Sequence, residues 1–136
     1  MSVKIATGID KHVVLPSSGT LATLTGAETF TNKTLTSPQI NGLKLNVVSK
    51  TGDYTATVFD DVILVDATNG AVTITLPKAS NASKKVLIIK KTDSSANAVT
   101  IDGDGSETID GSATVSLSNQ YDVKTIISDG SAWHVI

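Results

Sequence analysis

The stretch Val72-Thr73-Ile74-Thr75-Leu76 alternates apolar and hydroxyl side chains with a period of two. This pattern predicts a β-strand that buries one face and exposes the other to water. Pro77 ends the strand, because proline has no N–H to donate to a ladder. Threonine, valine and isoleucine, which favour strands, also dominate the flanking sequence, so the chain as a whole predicts an all-β fold.

On either side of this strand the sequence has a short, fully apolar run. Val62–Val65 precedes it, with a turn signal at Asn69-Gly70 between the two, and Val86–Ile89 follows it. The intervening segment 79–85 is predicted to form a single helical turn. The lysine pairs 84–85 and 90–91 flank the second run, and we interpret them as solvated residues that keep an apolar strand soluble.

Further strands are predicted in both directions from this centre. Asp-Gly and Ser-Asn turn signals divide the sequence into short units, and the predicted strands are 43–50, 54–58, 99–101, 107–109, 113–117, 123–128 and 132–136. Turns every 8–12 residues or so are typical of a small antiparallel β-sandwich or barrel. The sequence therefore predicts one antiparallel β-domain over residues 43–136.

Residues 1–42 are predicted to be an extended arm. Their apolar side chains are widely spaced and follow neither helical nor strand periodicity over more than a few residues. A segment without a core of its own cannot offset the roughly 1–2 kcal/mol per residue that backbone ordering costs. We therefore expect the arm to be ordered by partner molecules.

Composition excludes several classes of function. The net charge is −2, and all 11 basic residues are lysine, so specific recognition of nucleic acid is not expected. Cysteine is absent, which excludes disulfides and thiolate metal sites. No apolar stretch of about 18 residues exists to span a membrane, and Met1–Ile9 does not resemble a signal peptide. Assembly in a bacterial cytoplasm is the expectation.

The threonine-rich run TLATLTGAETFTNKTLTSPQI, at Thr20–Ile40, resembles a linker that recurs in tail-fibre and other virion proteins of tailed bacteriophages. The segments Asp53–Pro77, Lys90–Gly111 and Ile127–Ile136 are similar to a β-domain common in phage structural proteins. In that class the linker winds three chains together. The resemblance therefore implies a homotrimer located in the virion.

A homotrimer is compatible with the apolar residues of the linker, and Phe30, Leu35 and Ile40 are expected at its interface. Trp133, in the last predicted strand, is a further candidate for the trimer interface. The residues expected to attach the arm to the major capsid protein or another virion protein are Val3, Ile5, Val13, Val14, Leu15, Leu21 and Leu24. The short chain favours a capsid decoration (cement) protein or head fibre. The alternative is a short tail fibre that recognises a host surface glycan, and a secreted carbohydrate-binding module is a third reading.

Catalytic and metal-binding signals are sparse. Asp102, Asp104 and Glu107 form the only dense carboxylate cluster, which is either a calcium site or a β-turn, with Asp60-Asp61 as further ligands in space. No nucleophile, zinc or phosphate-loop motif occurs, so a non-enzymatic protein without a cofactor is predicted.

The aromatic and imidazole side chains are few. Trp133 alternates with Val135 in the last predicted strand, which indicates a position in the core or between subunits. With Tyr54 and Tyr121 it could instead form a sugar-stacking platform. His134 is expected on the exposed face of that strand.

Overall fold

A computed structural model describes residues 42–136, which fall within one compact unit. These residues contain nine β-strands, one 3-10 turn and no α-helix, which confirms the prediction of a mostly β protein. The strands are β1 Val47–Lys50, β2 Tyr54–Thr55, β3 Val62–Val65, β4 Val72–Thr75, β5 Val86–Lys91, β6 Val99–Asp102, β7 Thr114–Leu117, β8 Val123–Ser128 and β9 Trp133–Val135. The predicted arm over residues 1–42 lies outside the described residues, except for its last residue.

The nine strands form two sheets. The five-stranded sheet has the order β1-β3-β5-β8-β9, and the four-stranded sheet has the order β2-β4-β6-β7. The first six strands alternate between the two sheets. Each strand from β3 to β6 pairs in parallel with the strand two before it in the chain. In the five-stranded sheet this places Val47 beside Val62, and Val62 beside Ile88. The chain therefore winds back and forth between the sheets.

Each of the last three strands pairs with its neighbour in the antiparallel direction. β7 pairs with β6, β8 with β5 and β9 with β8, all antiparallel. Four of the seven pairings are thus parallel, and the prediction of an antiparallel domain is wrong. Side-chain alternation is the same in both kinds of sheet, so the pattern that located the strands did not reveal their direction.

Both sheets contribute side chains to one hydrophobic cluster. In β3 the buried residues are Ile63 and Val65, and in β4 they are Val72 and Ile74, with half-buried neighbours between them. Trp133 of β9 belongs to the same cluster and is 0% exposed, and its indole Nε1 donates to the carbonyl of Pro77 at 3.3 Å. Burial of each such aliphatic side chain contributes about 1.5–3 kcal/mol.

Two other predicted elements have different outcomes. The 3-10 turn Ala79–Asn81 confirms the single helical turn expected within 79–85. The strand predicted at 107–109 is wrong, because only Ile109 makes isolated bridges, to Ser112 and to Trp133. Within residues 42–136, no helix is long and apolar enough to cross a membrane.

Candidate functional site

The outer face of the five-stranded sheet is largely apolar. Leu87, Ile89 and Lys91 of β5 point inward, so Val86 and Ile88 point to the opposite face. Cross-strand register places alternate residues of β1, β3 and β8 beside them. The apolar side chains of this surface, hereafter the apolar face, are Val47, Val62, Leu64, Val86, Ile88, Val123 and Ile127.

Members of the apolar face are accessible in the single chain. Val47 is 53% exposed, Val123 is 49% exposed and Val86 is 39% exposed, while Ile88 is half-buried. Polar side chains interrupt this surface: Thr125 at its centre, Ser49 and Lys90 toward one end, and His134 beside Ile127. Contiguous apolar surface of this kind marks a contact with another molecule more often than it marks free surface.

The outer face of the four-stranded sheet has the opposite chemistry. The residues on this face alternate along β4, β6 and β7 with the residues that point into the core. The strand register places them side by side across the sheet. Every such position carries a hydroxyl or a carboxylate, and this hydroxyl face consists of Thr55, Thr73, Thr75, Thr100, Asp102, Thr114 and Ser116. The two outer faces therefore differ: one is suited to water and the other to an apolar partner.

A groove of about 360 Å³ opens at one end of the apolar face. It is lined by Leu45, Asp61, Lys84, Lys85, Val86 and Ile88. The Lys85 ammonium forms an ion pair with the Asp61 carboxylate. This hydrogen bond, together with one from the Asn46 backbone N–H, holds the pKa of Asp61 below its ordinary value of 3.8. The groove thus combines an apolar floor with a rim that carries both signs of charge.

Phe59 protrudes beside this groove and is 79% exposed. The turn that carries it is fixed by Asp60, whose buried carboxylate accepts from the Thr57 N–H at 2.8 Å and from the Tyr54 hydroxyl at 3.0 Å. Burial, followed by the hydrogen bond to Asp60, raises the pKa of Tyr54 above 10.0. The side-chain amide of Asn46 donates to the Phe59 carbonyl at 2.9 Å. The aromatic ring is therefore held outward on an ordered turn.

The acidic cluster does not assemble as a metal site. The Glu107 carboxylate accepts from the Ala79 backbone N–H at 2.8 Å, which places it at the start of the 3-10 turn. Gly103 lies so close to the Glu107 carbonyl that a Cβ there would sit 2.2 Å from that oxygen. Within residues 42–136, no group of three or more His, Cys, Asp or Glu side chains is arranged to hold a metal ion. The Glu107 carboxylate thus belongs to a packed turn, and Asp60 and Asp61 belong to separate hydrogen-bond networks.

Lys91 and Asp93 form a buried ion pair. Lys91 occupies the inward position after Ile89 and is 0% exposed, which corrects its interpretation as a solvated lysine. Its ammonium lies 2.6 Å from the Asp93 carboxylate, which also accepts from the Ala67 N–H at 2.7 Å. The hydrogen bond from Lys91, followed by that from Ser95, holds the pKa of Asp93 far below 3.8. The Asp93 carboxylate therefore stays ionised inside the fold.

His134 lies between two carboxylates on the partly exposed face of β9. Its Nε2 is 3.1 Å from Asp129 and its Nδ1 is 3.4 Å from Asp110. The hydrogen bond with Asp129 raises the pKa of His134 above 6.5. The pKa of Asp129 is lowered to about 2, mainly by hydrogen bonds from two backbone N–H groups and, to a lesser degree, by the hydrogen bond with His134. Protonated His134 thus connects the turn at Asp129, which precedes β9, with the turn at Asp110, which lies beside β9.

The His134 arrangement predicts a pH dependence. Because the folded pKa lies above 6.5, the imidazole contributes stability below pH 6.5 and loses that contribution as pH rises through the folded pKa. We expect Asp129→Asn to lower the His134 pKa toward 6.5, measured by NMR titration of the ring protons. Asp104→Asn, an exposed control, should leave the His134 pKa unchanged. An unaltered titration in Asp129→Asn would contradict the pairing.

The residues predicted for capsid attachment and most of those predicted for the trimer interface lie outside the described residues. These are Val3, Ile5, Val13, Val14, Leu15, Leu21, Leu24, Phe30, Leu35 and Ile40. Trp133 is the exception, and the structure corrects its assignment to a subunit interface. Since it is fully buried in the single chain, it belongs to the chain's own core and has no accessible surface for a partner. Tyr54 is likewise packed against the core, so these two do not form a sugar-stacking platform with Tyr121.

Sequence reasoning missed the apolar face and the groove beside Phe59. The signal was present in Val62–Val65 and Val86–Ile89, where every position is apolar. A strand with one solvated face should alternate between apolar and polar residues. Two unbroken apolar runs in a small domain therefore indicate that the second face of these strands is also buried against another surface.

Comparisons with known proteins give no independent assignment. No protein-family model matches the chain, and no curated protein matches it.

Proposed function

We propose that this chain is a non-enzymatic structural protein of a tailed-bacteriophage virion, a homotrimer that decorates the capsid exterior. The single structural observation that supports the proposal is the contrast between the apolar face and the hydroxyl face. A component of an assembly needs one surface for its neighbours and another for solvent. The resemblance of Thr20–Ile40 to phage linkers supplies the class of assembly.

The order of the linker and β1 along the chain supports the proposed trimer. The linker leads into β1, the edge strand of the five-stranded sheet, through Leu43 and Leu45, which are 68% and 49% exposed. If Phe30, Leu35 and Ile40 pack around a three-fold axis, the sheet that begins directly after them lies near that axis. In this arrangement the two sheets form a sandwich around the shared core. Three apolar faces then meet at the axis, and the hydroxyl faces point outward.

Attachment to the capsid is assigned to the arm. The arm buries apolar surface on neighbouring capsid subunits through its apolar side chains, which are Val3, Ile5, Val13 to Leu15, Leu21 and Leu24. Each arm alone supplies few apolar side chains, so each contact is weak. Linking three arms in one trimer raises their effective concentration and converts weak contacts into firm attachment.

The outward face favours decoration over glycan recognition. Sugar-binding sites combine aromatic stacking platforms with a few polar groups in a concave site. The hydroxyl face carries threonine, serine and aspartate, and none of the aromatic residues among the described positions lies on it. Such a surface is suited to solvation, as expected for the exterior of a capsid.

Antibody labelling of purified virions tests this proposal directly. We expect tens to hundreds of copies distributed over the head. A few copies located at the tail would support the tail-fibre alternative, and the absence of label from intact virions would refute a virion protein altogether.

Deletion of residues 1–18 is expected to separate folding from attachment. The truncated chain should remain folded, because the core of residues 42–136 is unchanged, but it should no longer co-sediment with capsids. Full-length protein added to the same capsids is the control. Undiminished co-sedimentation of the truncated chain would show that the arm is not the attachment element.

A further inference from the structure

We propose that Asn69 is a site of spontaneous covalent modification, at which the chain deamidates through a cyclic imide to give aspartate and isoaspartate. Asn69 and Gly70 lie in the turn through which the chain crosses from β3 to β4. The reaction requires a free side-chain amide, an accessible backbone nitrogen on the next residue, and water. It involves residues of one copy only, so it does not depend on how the chain assembles.

The chemistry takes place within this one turn. The backbone nitrogen of Gly70 loses its proton to solvent and attacks the side-chain carbonyl carbon of Asn69, and the side-chain nitrogen leaves as ammonia. The product is a five-membered imide, which one water molecule opens at either of its two carbonyl groups. Opening at the side-chain carbonyl gives aspartate, and opening at the backbone carbonyl gives isoaspartate. Overall, one water is consumed and one ammonia is released, with no change of oxidation state.

The side chain of Asn69 is free to react. It is exposed to solvent. Within residues 42–136, the side-chain hydrogen bonds to this turn come from other residues, and Asn69 makes none; the donors and acceptors are Asp66, Asp93, Ser95 and Asn97. The turn is therefore held in place without using the amide that reacts.

The attacking nitrogen of Gly70 is also accessible. A Cβ built at this position would have no heavy atom within 4 Å, so the space around it is open. Glycine itself has no Cβ to hinder the approach of its nitrogen to the neighbouring side chain. The Gly70 N–H donates to the Ala67 carbonyl at 3.2 Å, which is the long end of the normal range. Opening this one hydrogen bond releases the nitrogen for attack.

The other asparagines of residues 42–136 lack these properties. Asn46, Asn97 and Asn119 hold their side-chain amides in hydrogen bonds of 2.9, 2.8 and 3.2 Å. These three and Asn81 all precede a residue that has a Cβ. Among the described residues, Asn69 thus combines a free amide with a glycine nitrogen.

The modification adds a carboxylate to the surface and leaves the core contacts of the turn in place. The Ala67 N–H donates to the Asp93 carboxylate at 2.7 Å, and the Ala67 carbonyl accepts from the Asn97 amide at 2.8 Å. Neither contact uses Asn69 or Gly70. We therefore expect the product to be a folded variant with one additional negative charge, separable by anion exchange.

Site-resolved mass spectrometry of the full-length chain tests the reaction. Samples are kept at mildly alkaline pH in native buffer or in guanidinium chloride and then digested at acidic pH. Each asparagine peptide is followed by the mass gained when NH2 is replaced by OH. Asn41, which also precedes a glycine, lies outside the described residues and is followed in a separate peptide.

The native rate at Asn69 should lie within about 10-fold of its unfolded rate, because a single hydrogen bond protects the nitrogen. A native rate suppressed by more than this would show that the turn is closed to the reaction, and would overturn the assignment. An Asn69 peptide that gains no mass in native buffer would overturn it as well.

Ala98→Gly is the matched control, because it creates a second Asn-Gly pair whose amide is held by hydrogen bonds to the Ala67 and Thr68 carbonyls. In guanidinium chloride, Asn69 and Asn97 of this variant should deamidate at similar rates. In native buffer, Asn69 should remain at least about 10-fold faster, since the amide of Asn97 must first break its contacts. Equal native rates would show that the glycine neighbour alone decides, and that the structure does not select Asn69.

Discussion

Replacement of Asp93 by asparagine is expected to lower the unfolding midpoint by at least about 10 °C, because it leaves the buried Lys91 ammonium without a counter-charge. Lys91 is 0% exposed and its Nζ lies 2.6 Å from the Asp93 carboxylate. The folded pKa of Asp93 is depressed relative to 3.8. The pair therefore contributes stability above pH 3.8 and loses it as pH falls through the folded pKa. Thermal unfolding followed by circular dichroism from pH 7 down to about pH 1.5, toward the depressed folded pKa, measures both effects.

Two variants determine whether the buried charge is the cause. Asp66→Asn changes an exposed carboxylate one residue before Ala67, the backbone partner of Asp93, and should shift the midpoint little. Lys91→Met combined with Asp93→Asn should recover part of the loss, since no unpaired charge then remains in the core. If Asp93→Asn unfolds at the wild-type temperature across this pH range, the ion pair makes no net contribution and the account of β5 is wrong.

Placement of a lysine at Ile88 is expected to dissociate the proposed trimer at least about 100-fold more readily, because three ammonium groups would enter the proposed apolar interface without partners. Ile88 occupies the centre of the apolar face, between Val62 of β3 and Thr125 of β8. The side chain points away from the core of its own domain, so the β-domain should remain folded. Sedimentation velocity over a concentration series measures the association, and circular dichroism monitors the fold.

The hydroxyl face supplies the matched control. Thr100 occupies the equivalent central position of the four-stranded sheet, between Thr73 and Ser116. Thr100→Lys should leave both association and folding unchanged, because that face is proposed to point to solvent. Dissociation by Thr100→Lys with no effect of Ile88→Lys would reverse the assignment of the two faces.

Much of the strand pattern could be predicted because it depends on local periodicity. Val72–Thr75 and Val123–Ser128 were located from alternation and turn residues alone. The direction of pairing could not be predicted in this way. Asn69-Gly70 predicted a turn but not that the chain crosses there from one sheet to the other, and the neighbours of β3 are β1 and β5. Those neighbours are distant in sequence, so their choice depends on how the whole chain winds.

The surfaces were harder to predict than the core. Lys91 was misinterpreted because charged residues after an apolar run are usually solvated. Leu87, Ile89 and Lys91 alternate along β5 and point to the same side, which is the core, and Asp93 two residues later is the partner of Lys91. The burial of Lys91 could therefore have been predicted from the alternation along the strand together with the nearby opposite charge. The sequence left Trp133 either in the core or between subunits, and only the tertiary structure places it in the core. The prominence of Phe59 depends on the turn built by Asp60, which is not visible as a motif.

Sedimentation equilibrium of the purified full-length chain tests the central claim, that the apolar face is covered by sister subunits. We predict a species of three times the 14.0 kDa chain mass at micromolar concentration. A mass of one chain that persists as concentration is raised into the millimolar range would contradict the trimer, and the apolar face would then belong to a different partner.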